Sequence, residues 1–282
     1  RAVVGTLYKQ KGRDEALLEG LRFVGPRMAE LVERSRAIAP QSNVRVHCWR
    51  GGERSASVAW LLEKAGFNKV CALQRGYKAF RQEVLASFTR TPELRILGGY
   101  TGTGKAQLLH VLKDRGEQVI DLELLAQHQG STYGTLGRLV QPTQEQFENN
   151  FAGELCGFDR HKRIWVEDES LTIGKRTIPR TFWKGLQVAV LFDVQAPVEV
   201  QVKALVDEYG TLDREFLVEC TERIRKRLGL EQTKRAVMAI REGRMEDFIR
   251  EVLVYYDKTY RTGLQGRDTL SIIKVPVTNG GA

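Results

Sequence analysis

Paired cysteines and long apolar segments are both missing from this 282-residue sequence. Its four cysteines are Cys48, Cys71, Cys156 and Cys220. Because they are widely spaced and include no CxxC pair, the sequence argues against a structural zinc site or a disulfide framework and predicts reduced thiols in the cytoplasm. No apolar run approaches the roughly 20 residues that cross a bilayer, and no signal-peptide pattern opens the chain. We therefore expect no membrane association.

Acidic residues are in deficit, since 44 Lys and Arg stand against 35 Asp and Glu, a net charge of +9. A positive surface favours a polyanionic partner such as RNA, whose phosphates it neutralises. Many basic residues lie in one helical stretch: Arg223, Arg225, Lys226, Arg227, Lys234, Arg235, Arg241 and Arg244. Glutamates are interleaved with them, so a solvated helix face explains the stretch at least as well.

The spacing of apolar residues predicts strands and helices in two successive domains. In the first, the predicted elements are a helix over 13–39, a strand over 44–47, a helix over 55–64, a strand over 69–73 and a helix over 76–88. In the second, they are strands over 94–97, 119–120, 164–166 and 188–192, a helix over 105–113 and a charged helical region over 213–256. This alternation is typical of parallel-sheet α/β architecture. With Thr91-Pro92 as a linker, we predict domains over 1–90 and 91–282.

The segment HCWRGGERS, residues 47–55, places Cys48 after a predicted strand and before a helix. Backbone N–H groups of such a loop converge and the helix dipole adds positive potential, so the pKa of the cysteine falls and its reactive thiolate is favoured. We predict Cys48 as the catalytic nucleophile rather than a buried structural cysteine. The residues expected to support its anion-binding loop are Arg50, Gly51, Gly52 and Arg54.

Two classes of enzyme share this loop. Rhodaneses carry sulfur or selenium on such a cysteine, whereas tyrosine and dual-specificity phosphatases form a phosphocysteine. The phosphatase pattern of His-Cys, five residues and Arg is met by His47, Cys48 and Arg54. A phosphatase also needs a general acid, usually an aspartate, and residues 15–113 contain no Asp. The loop alone leaves both classes open.

The segment GGYTGTGKA, residues 98–106, follows a predicted strand and begins a helix, which is the context of a P-loop. The glycines let backbone N–H groups surround a diphosphate that the lysine also reaches. The predicted phosphate-binding residues are Gly99, Gly102, Gly104 and Lys105. Ala106 stands where Ser or Thr usually holds magnesium, so we predict no bound metal and little dependence of binding on magnesium. An ordinary Gly-rich turn is the alternative.

Apolar residues 164–166 lead into the carboxylates of Glu167, Asp168 and Glu169. Carboxylates at a strand end can hold a metal or orient a nucleophile, and we assign Asp168 as the Walker-B-like residue. A charged loop after a buried strand explains the segment nearly as well.

The order of the two loops resembles that of the tRNA 2-selenouridine synthase family. The resemblance covers the Cys-x-Arg-Gly-Gly-x-Arg-Ser and Gly-Gly-x-Thr-Gly-x-Gly-Lys loops and the strings at residues 4–10, 76–79, 121–123, 141–149, 166–170 and 255–260. It implies a rhodanese-like parallel-sheet domain, truncated at its N-terminus, followed by a P-loop NTPase-like α/β domain with a helical C-terminal region.

The resemblance also implies a transferase that converts wobble 2-thiouridine of tRNA to 2-selenouridine. Geranyl diphosphate would alkylate the sulfur, and selenium from selenophosphate would then replace the geranylthio group. The resemblance assigns selenium transfer to Cys48 and the binding of diphosphate or RNA phosphate to residues 99–105. It implies no tightly bound cofactor. The implied partners are the anticodon region of tRNA and an enzyme that supplies selenophosphate. A Cys-dependent phosphatase fused to a phosphate-binding domain is the alternative, and a non-enzymatic nucleic-acid binder is a third hypothesis.

Overall fold

The computed structural model describes residues 2–40, 43–90, 93–128, 133 and 140–277. The chain divides into two compact units, Arg1–Glu83 and Val84–Ala282, called the first and second unit below. The linker predicted at Thr91-Pro92 lies outside the described residues. In the described part of the chain, no helix combines the length and apolar composition needed to cross a membrane.

The first unit consists of helices followed by a two-stranded parallel sheet. Its elements are α1 (Ala2–Lys11), α2 (Arg13–Val24), α3 (Met28–Ile38), β1 (Asn43–Val46), α4 (Glu53–Lys64), β2 (Lys69–Ala72) and α5 (Gly76–Ser87), the last of which continues into the second unit. β1 and β2 pair in parallel, with Val46 opposite Ala72. Leu62 and Phe67 are among the buried apolar residues of this unit.

The single helix predicted over residues 13–39 is wrong. A 3-10 turn over Gly25–Arg27 separates α2 from α3, and Pro26 lies in that turn because it has no N–H to continue an α-helix. Leu17, Leu18 and Leu21 of α2 are each more than half exposed. Their helical spacing is therefore real, but it does not mark a buried face in this structure.

The second unit contains the strands β3 (Leu94–Gly99), β4 (Gln118–Ile120), β5 (Ile164–Glu167), β6 (Thr172–Ile173), β7 (Arg176–Thr177), β8 (Val190–Gln195) and β9 (Ile272–Pro276). Five of them form a parallel sheet in the order β4-β5-β3-β8-β9, and β6 and β7 form a separate antiparallel pair. Its helices are α6 (Lys105–Asp114), α7 (Leu122–Ala126), α8 (Gln144–Gly157), α9 (Arg180–Val188), α10 (Val198–Tyr209), α11 (Arg214–Arg223), α12 (Arg225–Leu228), α13 (Leu230–Glu242) and α14 (Met245–Leu264). The predicted α/β architecture with a helical C-terminal region is confirmed, although the sequence does not predict the edge strand β9.

Apolar strands and aromatic helix faces form the core of the second unit. Ile96, Ile164 and Leu191 in the central strands are fully buried, as expected for a parallel sheet that is covered on both faces. Phe151 of α8 packs in the same cluster, with its ring centroid 4.7 Å from that of Phe182 and 5.1 Å from that of Phe88. This core fixes the carboxyl ends of β3, β5 and β8, at which the candidate site of this unit lies.

Replacing Phe151 by Ala is expected to destabilise the protein by about 3–5 kcal/mol, because it removes a buried ring and leaves a cavity between its two aromatic neighbours. Chemical denaturation followed by circular dichroism measures the change. The matched control is Phe23→Ala in α2, where the ring is 55% exposed and its loss should cost far less. Equal losses in the two variants would contradict the assignment of Phe151 to the core.

Candidate active sites

Cys48 lies two residues beyond the end of β1, in a loop that leads into α4. Gly51 and Gly52 adopt φ angles of 77° and 90°, in a left-handed region that residues other than glycine rarely adopt. Gly52 is the N-cap of α4. The loop thus turns the start of the helix back toward the half-buried thiol of Cys48.

Hydrogen bonds stabilise the thiolate form of Cys48. The Ser55 hydroxyl lies 3.4 Å from the sulfur and 2.9 Å from the Gly52 carbonyl, so its single proton can be donated to either. Donation from that hydroxyl, from the backbone N–H groups of Ser55 and Gly52, and the charge of Arg54 together outweigh burial and lower the pKa of Cys48 to about 7. Near neutral pH a large fraction of Cys48 is therefore the nucleophilic thiolate.

The predicted loop residues have different parts in this arrangement. Arg54 acts through its charge, whereas the carbonyl oxygen of Arg50 accepts a hydrogen bond from the thiol at 3.2 Å. Ser55 is not among the residues predicted to support the nucleophile, although it belongs to the loop motif. A hydroxyl in the first turn of the helix that follows a cysteine loop is the signal that identifies it.

The start of α5 holds the Cys48 loop in place. The N–H of Tyr77 donates to the carbonyl of Cys48 at 2.7 Å, and the N–H of Lys78 donates to that of Trp49 at 3.1 Å. Gly76 has a φ of 69°, and a Cβ there would lie 2.4 Å from the Cys48 carbonyl oxygen. The Gly-Tyr-Lys-Ala string at residues 76–79 is thus a backbone support for the nucleophile loop.

The P-loop connects β3 to α6 and is packed too tightly to accept side chains at Gly99 and Gly102. A Cβ on Gly99 would lie 2.7 Å from the carbonyl oxygen of Val194, and one on Gly102 would lie 2.8 Å from that of Gln201. Lys105 donates from Nζ to the carbonyl oxygens of Gly99 at 2.9 Å and Tyr100 at 3.1 Å. The structure therefore brings the four predicted phosphate-binding residues into one loop at the start of a helix, the geometry that binds phosphates elsewhere.

Three carboxylates lie near this lysine: two from the acidic segment at residues 167–169 and that of Glu123, which no sequence motif places there. Glu123, Glu167 and Glu169 each offer an oxygen atom, and these atoms lie within 4.8 Å of one another. The N–H of Glu123 donates to Glu167 at 2.7 Å. Burial, followed by repulsion between carboxylates, raises the pKa of all three, and the charge of Lys105 opposes the rise. Such an oxygen set could hold a divalent cation, although Ala106 in the P-loop predicts that none is bound there.

Asp168, assigned from sequence as Walker-B-like, follows β5 and forms an ion pair. Its carboxylate accepts a hydrogen bond from Arg267 at 2.6 Å, and Arg267 also donates to the carbonyl of Leu186 at 2.9 Å. Burial raises the pKa of Asp168, and the charge of Arg267 opposes that rise. The side chain of Arg267 is only 2% exposed, so Asp168 neutralises a buried cation. Its Walker-B-like role stays a prediction.

Helix α14 reaches the P-loop from the C-terminal region. The hydroxyl of Tyr260 donates to Asp193 of β8 at 2.8 Å, and Nε of Arg261 donates to the hydroxyl of Tyr100 at 2.9 Å. For the aromatic string at 255–260 the sequence leaves base stacking and core packing open. In the structure one of its rings, that of Tyr260, packs against Tyr100 beside the P-loop. The helical region is part of the surroundings of this site.

Comparison with known proteins identifies the two domain types that the Cys48 loop and the P-loop indicate. A family model described as the tRNA 2-selenouridine synthase AAA domain matches residues 92–275, and a rhodanese-like domain model matches residues 17–83. The chain belongs to the tRNA 2-selenouridine synthase family. The family predicted from the order of the motifs is thereby confirmed, as are the rhodanese-like and P-loop domain types.

Individual relatives with this name cover most of the chain. The protein from Shewanella loihica is 34% identical over 256 residues, which span 82% of this chain and 67% of the relative. That from Hydrogenovibrio crunogenus is 33% identical over 301 residues, spanning 94% and 81%. That from Bdellovibrio bacteriovorus is 39% identical over 223 residues, spanning 74% and 56%. Each of the three is named tRNA 2-selenouridine synthase.

Ser55→Ala is expected to raise the pKa of Cys48 toward the ordinary thiol value of about 8.5, because the thiolate loses the hydroxyl that donates to it. Below pH 8 the variant should react more slowly with iodoacetamide, and the midpoint of its pH–rate profile should shift upward. Mass spectrometry of the Cys48 peptide measures this rate. Ser57→Ala is the control, since that hydroxyl donates to the Glu53 carbonyl within the same helix. An unchanged midpoint in Ser55→Ala would refute the role of the hydroxyl.

Proposed function

We propose that this protein is a tRNA-modifying transferase that replaces the sulfur of wobble 2-thiouridine with selenium, by way of a geranylated intermediate. The observation that carries the proposal is the presence, in one chain of this family, of a loop that stabilises the Cys48 thiolate and a P-loop suited to a diphosphate. Neither loop alone specifies the reaction, since each serves several kinds of enzyme.

The P-loop suits the alkylation step. The sulfur of 2-thiouridine attacks C1 of geranyl diphosphate, the C–O bond breaks, and diphosphate leaves with the electron pair while N3 of the base loses its proton. Negative charge therefore grows on the leaving group. N–H groups at the start of α6 and the ammonium group of Lys105 would stabilise it, and preformed donors of this kind are effective because they need little rearrangement.

The Cys48 loop suits the handling of selenium. In the second step water cleaves the P–Se bond of selenophosphate and phosphate is released, selenium at the selenide level adds to C2 of the base, and the C2–S bond breaks so that geranylthiolate leaves and takes up a proton. Our proposal gives Cys48 the selenium-transfer role because its thiolate is populated near neutral pH and Arg50 and Arg54 lie exposed beside it. Selenophosphate is an anion, which such a loop attracts.

We further propose tRNA as the macromolecular partner, an enzyme that supplies selenophosphate as a second partner, and the cytoplasm as the location. The basic stretch at 223–244 contributes less to RNA binding than its sequence suggests, because several of its cations are paired with acidic side chains. Ion pairs join Arg223 to Glu219, Arg225 to Glu222, Lys234 to Glu231, Arg235 to Glu251 and Arg244 to Glu242. Basic groups around Cys48 are therefore the stronger candidates for phosphate contacts.

A Cys-dependent phosphatase is the second candidate, and one observation favours it. Arg54, the arginine of the phosphatase pattern, contributes to the lowered pKa of Cys48. Both classes require such a cysteine, so thiol reactivity does not distinguish them. The substrate does, because a phosphatase hydrolyses a small aryl phosphate without any RNA.

Cys48→Ser is expected to abolish selenation of 2-thiouridine tRNA while leaving the thermal midpoint nearly unchanged, because the half-buried sulfur makes little packing contribution. Mass spectrometry of digested nucleosides measures the product. Cys71→Ser, at an exposed position in β2, is the control and should retain activity. Full selenation by Cys48→Ser would reject its role. Rapid aryl-phosphate hydrolysis that is lost in Cys48→Ser, with no salt-sensitive tRNA binding, would favour the phosphatase.

Lys105→Ala is expected to weaken binding of diphosphate at least tenfold, because a charge-assisted contact of about 1.5–3 kcal/mol is removed. Isothermal titration with inorganic diphosphate measures this, with Lys113→Ala at the far end of α6 as the control. Because Ala106 provides no hydroxyl for magnesium, wild-type affinity should change little on addition of EDTA. A strong requirement for magnesium would show that the nearby carboxylates replace the missing hydroxyl, and Glu169→Gln would then reduce that requirement.

A further inference from the structure

Four aromatic rings adjoin one another at the Cys48 loop. The indole of Trp49 stacks on the ring of Tyr77, with centroids 5.5 Å apart and planes inclined by 27°. Tyr77 also lies next to His47, at 5.7 Å, and Phe80, at 5.6 Å. The group consists of the two neighbours of the nucleophile in sequence and two residues of α5. We call it the aromatic platform.

The backbone fixes the platform relative to the nucleophile. The bonds from the N–H groups of Tyr77 and Lys78 to the carbonyls of Cys48 and Trp49 tie the start of α5 to the loop. Movement of the Trp49 backbone away from the start of α5 would require these bonds to break, and stacking on Tyr77 holds the indole itself. An incoming flat ligand therefore meets a surface that is already ordered, so less entropy is lost when it binds.

The platform is exposed and is not part of the core. Trp49 is 51% exposed and Phe80 is 37% exposed, whereas Leu62 and Phe67 supply buried apolar groups elsewhere in this unit. Tyr77 covers one side of the Trp49 indole, and more than half of the residue's surface remains in contact with water. Stacking a flat apolar ring on that surface would be favourable.

The charge around the platform indicates what kind of ring it would accept. Between residues 45 and 81 the sequence contains eight Lys or Arg and two Glu. Arg50 follows Trp49 directly and Lys78 follows Tyr77 directly, and both are exposed. Aromatic surface combined with surrounding cations is the recognition chemistry of unstacked bases in single-stranded nucleic acid. A prenyl chain would need the apolar surface but would gain nothing from the cations.

We propose that the exposed indole of Trp49, supported by Tyr77, is the surface on which the uracil ring of the target nucleotide stacks beside the Cys48 thiolate. Arg50 and Lys78 contact the phosphates on either side of that nucleotide. The proposal rests on the proposed tRNA-modifying function and adds the subsite that receives the base. Trp49 is thus a substrate-positioning residue.

The test compares Trp49→Ala with Trp60→Ala in the full chain. Trp60 is the matched control, because it is 57% exposed in α4 of the same unit and takes no part in the platform. The probe is an anticodon stem-loop that contains 2-thiouridine at the wobble position, and affinity is measured by fluorescence anisotropy. Loss of a base–aromatic stack of about 1–3 kcal/mol should weaken binding about 5- to 150-fold in Trp49→Ala. Trp60→Ala should bind like the wild type, and Trp49→Phe should recover most of the affinity.

Intrinsic fluorescence gives a second measurement that does not depend on the alanine variant folding. The stem-loop should quench the emission of the wild type, and the quenching should be reduced in Trp49→Phe but kept in Trp60→Phe. Equal affinities for Trp49→Ala and Trp60→Ala, or equal quenching in the two Phe variants, would overturn the proposal. A defect of Trp49→Ala confined to the S-geranylated stem-loop would assign the platform to the prenyl chain instead, and would also overturn it.

Failure of the proposed function has a different outcome. In that case the wild-type protein itself would neither bind nor modify the stem-loop, and the stacking proposal would fall with the function. If the wild type binds and modifies the stem-loop while Trp49→Ala behaves like Trp60→Ala, only the stacking proposal fails.

Discussion

The first N–H groups of a helix have no partner within the helix and need an acceptor from outside. Several helices of this chain solve the problem with a side chain: Asp121, Thr143 and Asp213 accept from α7, α8 and α11. At α4 and α6 the N-cap is glycine in a left-handed conformation, Gly52 and Gly104, and glycine has no side chain with which to accept. At these two helices the first N–H groups therefore have no side-chain acceptor and stay open to an anion, and both helices follow strands of parallel sheets. The candidate sites of both units depend on that constraint.

In the second unit the uncapped start of α6 places the ammonium group of Lys105 close to three carboxylates. Lys105 at the start of α6 offsets the carboxylates of Glu123, Glu167 and Glu169, whose charged forms burial disfavours. Its ammonium group also donates to two P-loop carbonyls. A bound diphosphate would compete for this cation. The carboxylates would then need a proton or a metal ion to remain buried, so phosphate binding and the ionisation of this cluster are physically linked.

The sequence predicts both loops well because each depends on local chemistry, namely glycines at positive φ and a reactive residue at a strand end. It predicts poorly what depends on contacts between distant segments. Asp168 was the obvious acidic residue, yet its partner Arg267 is 99 positions away. Glu167 and Glu169 join Glu123, whereas Asp168 between them pairs with Arg267. The edge strand β9 likewise depends on packing against a distant strand. The break at Pro26 has a local cause, the missing N–H of proline.

The relative size of the contributions that lower the pKa of Cys48 affects how its loop can bind an anionic substrate. The largest contribution to the lowered pKa comes from the neutral hydroxyl of Ser55, followed by a backbone N–H group, and the charge of Arg54 comes after them. A thiolate held mainly by neutral donors does not neutralise the neighbouring cations. Arg50 and Arg54, both exposed, therefore keep their charge available to an incoming anion. The loop can in this way stabilise its nucleophile and attract its substrate at the same time, which a tight Cys–Arg ion pair would prevent.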